Sequence, residues 1–158
     1  MNPTVYIDTT IPSYYVDARQ SLAVHIERTK EWWENERGAY EVFTSEFVLR
    51  ELEEGNFPNQ QAALELANQL LLLAPDPSVE EIVTRYLENY LMPVSDERDA
   101  IHLAFASFYK LDFLLTWNCA HLANVNKRRH IEQVNRRLGL LTPLIVTPLE
   151  LRLPERRN

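Results

Sequence analysis

Three acids and one amide stand where solubility does not account for them. In VYIDTT, Asp8 follows Val5, Tyr6 and Ile7, which read as the end of a buried strand. An ionised carboxylate at the edge of a core needs a partner. It could cap the next turn, IPSYY, pair with a cation, or hold a metal. In SEFVLRELEEG, Glu46, Arg50, Glu53 and Glu54 share one helical face, with Glu46 and Arg50 at ion-pair spacing. Glu51 is not on that face. It lies three and four residues after Val48 and Phe47, at the apolar edge, where it either turns inward and needs a partner or snorkels at the boundary. In SDERDAIHLAFASF, Asp99 occupies the first turn of a largely buried helix. There a carboxylate is also favoured by the helix dipole, and Ser95 or Asp96 offers a capping explanation. In FLLTWN, Thr116 and Asn118 leave a strand end. Asn118 can N-cap CAHLANV or offer a neutral oxygen to a cation. His102, one turn from Asp99, reads as a core histidine or a support to the acids.

Oxygen donors of this kind suit Mg²⁺ or Mn²⁺, and without a Cys/His ligand cluster there is no case for structural zinc. Three carboxylates brought together without a cation repel one another, and some stay protonated. With a metal they can activate a water.

The elements that must position these residues alternate between strand and helix. TVYID, YEVFT, FLLT and LIVT read as short apolar strands, and LLLA as a third strand in order or the end of the helix before it. Between them fall a helix from about residue 20, helices on either side of NFPNQ, and a stripe of Val79, Ile82, Val83, Tyr86, Leu87, Tyr90 and Leu91 that Pro93 should stop. A buried helix from about Asp96 to Tyr109 and a basic helix ending near Gly139 complete the series. Short apolar strands separated by helices predict a mainly parallel sheet of about five strands in a three-layer α/β/α domain. Asp8, Thr116 and Asn118 would then share the carboxyl edge, where such sheets bind ligands. The domain is expected over residues 1–150, with a frayed tail at 151–158.

Composition narrows the class. With 158 residues the chain fits one domain, and no apolar run approaches the length of a membrane span. MNPTVYID lacks the features of a signal peptide, and Cys119 is the only cysteine, so a reducing cytoplasm is expected. None of the three glycines lies in a phosphate-binding loop. The net charge of −7 argues against a general nucleic-acid coat protein. Against that, NKRRHIEQVNRR concentrates Lys127, Arg128, Arg129, Arg136 and Arg137 around one acid, Glu132. It reads as a solvated helix face or as a nucleic-acid-binding surface.

Taken in order, VYIDTT, SEFVLRELEEG, RDAIHLAFAS and FLLTWNCAHLAN resemble the PIN domain, in particular the VapC-like toxins of toxin–antitoxin pairs. The resemblance covers nearly the whole chain. It implies a metal-dependent ribonuclease in the cytoplasm, a cognate antitoxin and a homodimer. By position, Asp8, Glu51 and Asp99 match the family's main metal-binding acids, and Thr9 matches the small polar residue after the first. Thr116 and Asp96 take supporting positions, and Lys127, Arg128 and Arg129 become the expected RNA contacts. Many members have an aspartate where this chain has Asn118, which removes one negative charge and weakens the hold on a second metal ion.

Two other readings compete. A haloacid-dehalogenase-like phosphatase also ends its first strand in aspartate, but it wants a second acid two positions on, where this chain has Thr10. A non-catalytic module that binds RNA or a partner draws support from Asn118. Trp32, Trp33 and Tyr40 supply apolar area for core packing or for an antitoxin segment.

Overall fold

The computed structural model describes residues 1–154. Their order is β1 (Thr4–Ile7), α1 (Thr10–Val16), α2 (Ala23–Glu31), β2 (Glu41–Ser45), α3 (Glu46–Glu54) and α4 (Gln60–Ala67). Then come β3 (Leu71–Leu73), α5 (Pro77–Glu88), α6 (Glu97–Phe108), β4 (Phe113–Leu115), α7 (Val125–Arg137) and β5 (Leu144–Val146). The five strands pair in parallel throughout, in the order β3-β2-β1-β4-β5. The chain first builds outward from β1 to β3, then crosses to the other side for β4 and β5. That reversal opens a crevice beyond the carboxyl ends of β1 and β4, where α/β sheets bind ligands.

Alternation along the strands divides the core between the two faces. Val5 and Ile7 of β1 enter one core with Trp32, Val42, Leu115 and Trp117. Tyr6 enters the other, with Leu52, Tyr86, Leu103 and Leu114. Helices therefore cover both faces, in the three layers expected. Among the described residues, no helix is long and apolar enough to cross a membrane.

Several local expectations need correction. IPSYY is not a turn but part of α1, and Pro12 is tolerated there because the first helical turn needs no amide donor. The stripe expected to reach Leu91 stops at Glu88. Asn89 ends α5 and Tyr90 takes a left-handed φ of 58°, so the helix is broken before Pro93. CAHLANV is a series of turns, and α7 begins only at Val125, capped by Asn124 Oδ1 accepting from the Asn126 amide at 3.0 Å. A π-helical turn, Trp32–Glu36, extends α2 and buries both tryptophans, Trp32 completely. They are core, not a surface for a partner, while Tyr40 is half-buried against Trp32 and Phe113.

The tail is held where fraying was expected to begin. Buried Arg28 donates to the carbonyls of Pro148 at 2.6 Å and Leu151 at 2.9 Å. It also forms a two-pronged pair with Glu36, which accepts from the Leu153 amide at 3.1 Å. Leu151 is buried with the tryptophans. Residues 155–158 of the expected tail lie outside the described residues.

Candidate active site

Asp8 leaves β1 beside β4, one residue beyond the last paired position, Ile7 with Leu115. It is 2% exposed, and two threonine hydroxyls serve it. Thr10 Oγ1 donates to Oδ1 and Thr116 Oγ1 to Oδ2, each at 2.5 Å. Both hydroxyl oxygens also accept a backbone N–H, Thr10 from Trp117 and Thr116 from Asn118, each at 2.9 Å. With those oxygens engaged, the hydroxyl protons are left to point at Asp8. The Thr10 amide adds a bond to Oδ1 at 3.0 Å, so the capping alternative is realised in part. Burial still wins. It raises the carboxyl above its ordinary value, against the opposing pull of His102, Thr10 and Thr116.

Glu51 turns inward from its position at the apolar edge of α3. Its Oε1 accepts from Thr9 Oγ1 at 2.7 Å and meets His102 Nε2 at 2.8 Å. Oε2 faces the exposed Arg98 at 4.0 Å. Burial alone would raise Glu51, but His102, Thr9 and Arg98 together hold it below the usual glutamate value. Asp99 is half-buried, and burial raises its carboxyl. The Asn118 amide, His102 and His121 pull the other way, and Asp96 adds repulsion. His102, 3% exposed, lies among the acids. Burial opposes its charge, but Glu51, Asp8 and Asp99 outweigh that and raise its pKa. Of the three acids only Glu51 hydrogen-bonds the imidazole. Asp8 and Asp99 act on it through charge, and among the described residues Asp8, Glu51 and Asp99 do not bring their oxygens together within 4.8 Å.

Asn118 behaves differently from a metal ligand. Its Oδ1 accepts from the Ala120 and His121 amides at 3.1 and 3.0 Å, closing a turn in place of the helix expected there. Asn118 also lowers the Asp99 carboxyl against the effect of burial. Asp96 stands at the N-cap position of α6 without capping it; its Oδ2 instead meets His121 Nε2 at 3.1 Å. Asp96, Asp99 and His121 can each offer one ligand atom with all three inside 4.8 Å. Among the described residues no other such trio is this tight. His121, Tyr6, Thr10 and Arg98 are not read as site residues from the sequence, although Thr10 stands two residues after Asp8 and Arg98 next to Asp99. Lys127 is internally engaged, its Nζ donating to the Leu91 carbonyl at 2.7 Å and lying 3.2 Å from His121 Nδ1. Arg128 is half-buried and Arg129 exposed.

The donor set fits a hard divalent cation. Asp8 Oδ2 accepts one hydrogen bond and Glu51 Oε2 none, so lone pairs remain on both carboxylates. A cavity of about 650 Å³ lies between α3, α5 and α6, lined by Phe47, Val83 and Ile101 with Glu46, Glu80 and Glu97 near its rim. None of Asp8, Glu51, Asp99 and Asn118 lines it.

No family model and no curated protein matches the sequence. Among solved structures, the chain is similar to one from VapBC2 of Rickettsia felis, a complex determined bound to a DNA fragment from its promoter. The match covers 91% of this chain and 98% of that one, with a TM-score of 0.53 and 13% identity. At that identity the likeness is one of fold. It agrees with the PIN-like α/β architecture, and the two chains share it over nearly their whole lengths.

Proposed function

We propose that the protein is a divalent-metal-dependent ribonuclease, the toxin of a toxin–antitoxin pair. The observation that carries the reading is the buried Asp8, held by Thr10 and Thr116 at the carboxyl ends of β1 and β4, with Glu51 hydrogen-bonded to His102 nearby. Asp8 is costly to bury as an anion, and a cation beside it removes much of that cost. Asp8, Glu51 and Asp99 would hold Mg²⁺ or Mn²⁺, with Asp96 and His121 next to Asp99. The ion supplies a more acidic water and offsets the charge that develops on a phosphodiester.

The protein's own groups do the remaining work. Thr10 and Thr116 orient Asp8, Thr9 and His102 fix one oxygen of Glu51, and the Asn118 amide favours the ionised form of Asp99. Arg98 at the rim and Arg128 and Arg129 on α7 would contact the RNA backbone. Lys127 sits closer to the site, between Leu91 and His121. Fold likeness to a chain of VapBC2 supports a toxin with an antitoxin partner; a homodimer and a cytoplasmic location follow from the same reading. Expression of the wild-type chain should arrest growth and cleave RNA. Asp8→Ala and Asp99→Ala should abolish both while the proteins stay folded, and toxicity retained in either variant would contradict the reading.

Asn118 favours a second reading, a module that binds RNA or a partner without turnover. Its oxygen closes a turn and is not free for a metal. Such a module would bind with the same affinity in EDTA and release no cleavage products.

A further inference from the structure

A buried hydrogen-bond chain runs behind Glu51. Ser45 Oγ lies 2.8 Å from the Tyr6 hydroxyl, which lies 2.9 Å from His102 Nδ1. His102 Nε2 continues to Glu51 Oε1 at 2.8 Å, and Thr9 Oγ1 meets the same oxygen from the other side at 2.7 Å. Tyr6 and Ser45 are fully buried. The chain joins β1, the β2–α3 junction, α6 and α3, and ends at one carboxylate oxygen.

The donors can be directed. An ionised Glu51 only accepts, so Nε2 carries the proton toward it. In a neutral ring Nδ1 is then an acceptor and takes the Tyr6 proton. The Tyr6 oxygen accepts from Ser45, whose own oxygen accepts the Val48 amide at the start of α3, at 3.4 Å. Every donor in this arrangement meets an acceptor. A doubly protonated ring would reverse Tyr6 and leave the Ser45 hydroxyl without an acceptor among the described residues.

We infer that Tyr6 and His102 are positioning residues, which hold Glu51 by Oε1 and leave Oε2 turned toward Arg98 and the open side of the site. The inference rests on the reading of Glu51 as a metal ligand. Groups of this kind fix the direction of a ligand's lone pairs, and their loss costs about 10–100-fold in metal affinity. Tyr6 also stacks on Phe105, with ring centroids 6.2 Å apart and planes at 11°, so Tyr6→Phe removes the hydroxyl and keeps the packing.

The test has a metal-free and a metal-bound readout. In metal-free wild type, at a pH where the ring is neutral, ¹⁵N NMR of the histidine rings should show His102 as the Nε2–H tautomer, and Tyr6→Phe should produce a mixture. Titration with Mn²⁺ should show roughly 10–100-fold weaker binding in His102→Leu and a smaller loss in Tyr6→Phe. His102→Gln, whose amide can still donate to Glu51, should recover part of the loss. Thermal melts identify any variant that fails to fold, and Tyr6→Phe keeps the test open if His102→Leu does. Normal wild-type affinity with unchanged affinity in folded Tyr6→Phe and His102→Leu overturns the positioning role alone. Absence of Mn²⁺ binding by the wild type overturns the metal reading and the inference with it.

Discussion

Thr9 hydrogen-bonds Glu51, forty-two residues away, at 2.7 Å. The residue after the first acid thus fixes the second, and β1 and α3 carry one site. Thr9→Val keeps the side-chain shape and removes the donor. A hydrogen bond to a charged group contributes about 1.5 kcal/mol or more, roughly tenfold in an equilibrium. Mn²⁺ affinity should fall by about that factor in Thr9→Val and stay near wild type in Thr9→Ser. Equal affinity in all three would remove Thr9 from the site.

Much of this arrangement is legible in the sequence, for physical reasons that can be named. Strands β1, β2, β4 and β5 announce themselves as short apolar runs, and a parallel sheet puts Asp8 and Thr116 on one edge. Glu51 declares itself by sitting on the wrong face of α3. Other features depend on tertiary contacts. His121 meets Asp96 only because CAHLANV folds into turns closed by Asn118. Tyr6 looks like any strand aromatic until His102 and Ser45 arrive from other elements. Trp32 and Trp33 left core packing and a partner surface both open in the sequence, and the π-helical turn that buries them leaves no mark in 3.6-residue spacing.

The burial of Asp8 costs stability. Its pKa is raised in the folded state, chiefly by burial, so ionisation costs stability. That cost is absent below the ordinary value of 3.8 and fully present above the raised folded value. Asp8→Asn should therefore melt higher than wild type at pH 7 in EDTA, by about 2–4 °C for each kcal/mol relieved. The difference should shrink as the pH falls toward about 3. A variant that melts lower at pH 7 would show that Asp8 is stabilising as an anion.

The Arg28–Glu36 pair supplies a pH dependence of opposite sign. The hydrogen bond from Arg28 holds Glu36 below the ordinary glutamate value of 4.5. A depressed carboxylate contributes stability above its unfolded value and loses it as the pH falls through the folded one. Acid melts of the wild type should thus steepen below about pH 4.5, and Glu36→Gln should flatten that decline. Arg28→Met leaves Glu36 buried without its cation and frees the carbonyls of Pro148 and Leu151. It should cost about 3–5 kcal/mol in denaturant unfolding. A loss below about 1 kcal/mol would show that the tail segment holds without it.

RNA binding should separate the cations of α7. Replacing exposed Arg129 with Glu should weaken binding to single-stranded RNA of any sequence. The slope of log affinity against log salt should fall by about 0.7 for each phosphate that the variant no longer neutralises. Lys127→Met should instead disturb the turn around Leu91 and His121, with a lower melting temperature as its main effect. An unchanged salt slope in Arg129→Glu would exclude that residue from the RNA surface.

Everything proposed for the site depends on Asp8, Glu51 and Asp99 binding a divalent metal. Calorimetric titration of the wild type and Asp8→Asn with Mg²⁺ and Mn²⁺ decides whether they do. Saturable binding by the wild type that disappears in Asp8→Asn is the predicted result. Equal binding by the two proteins, or none by the wild type, would contradict it.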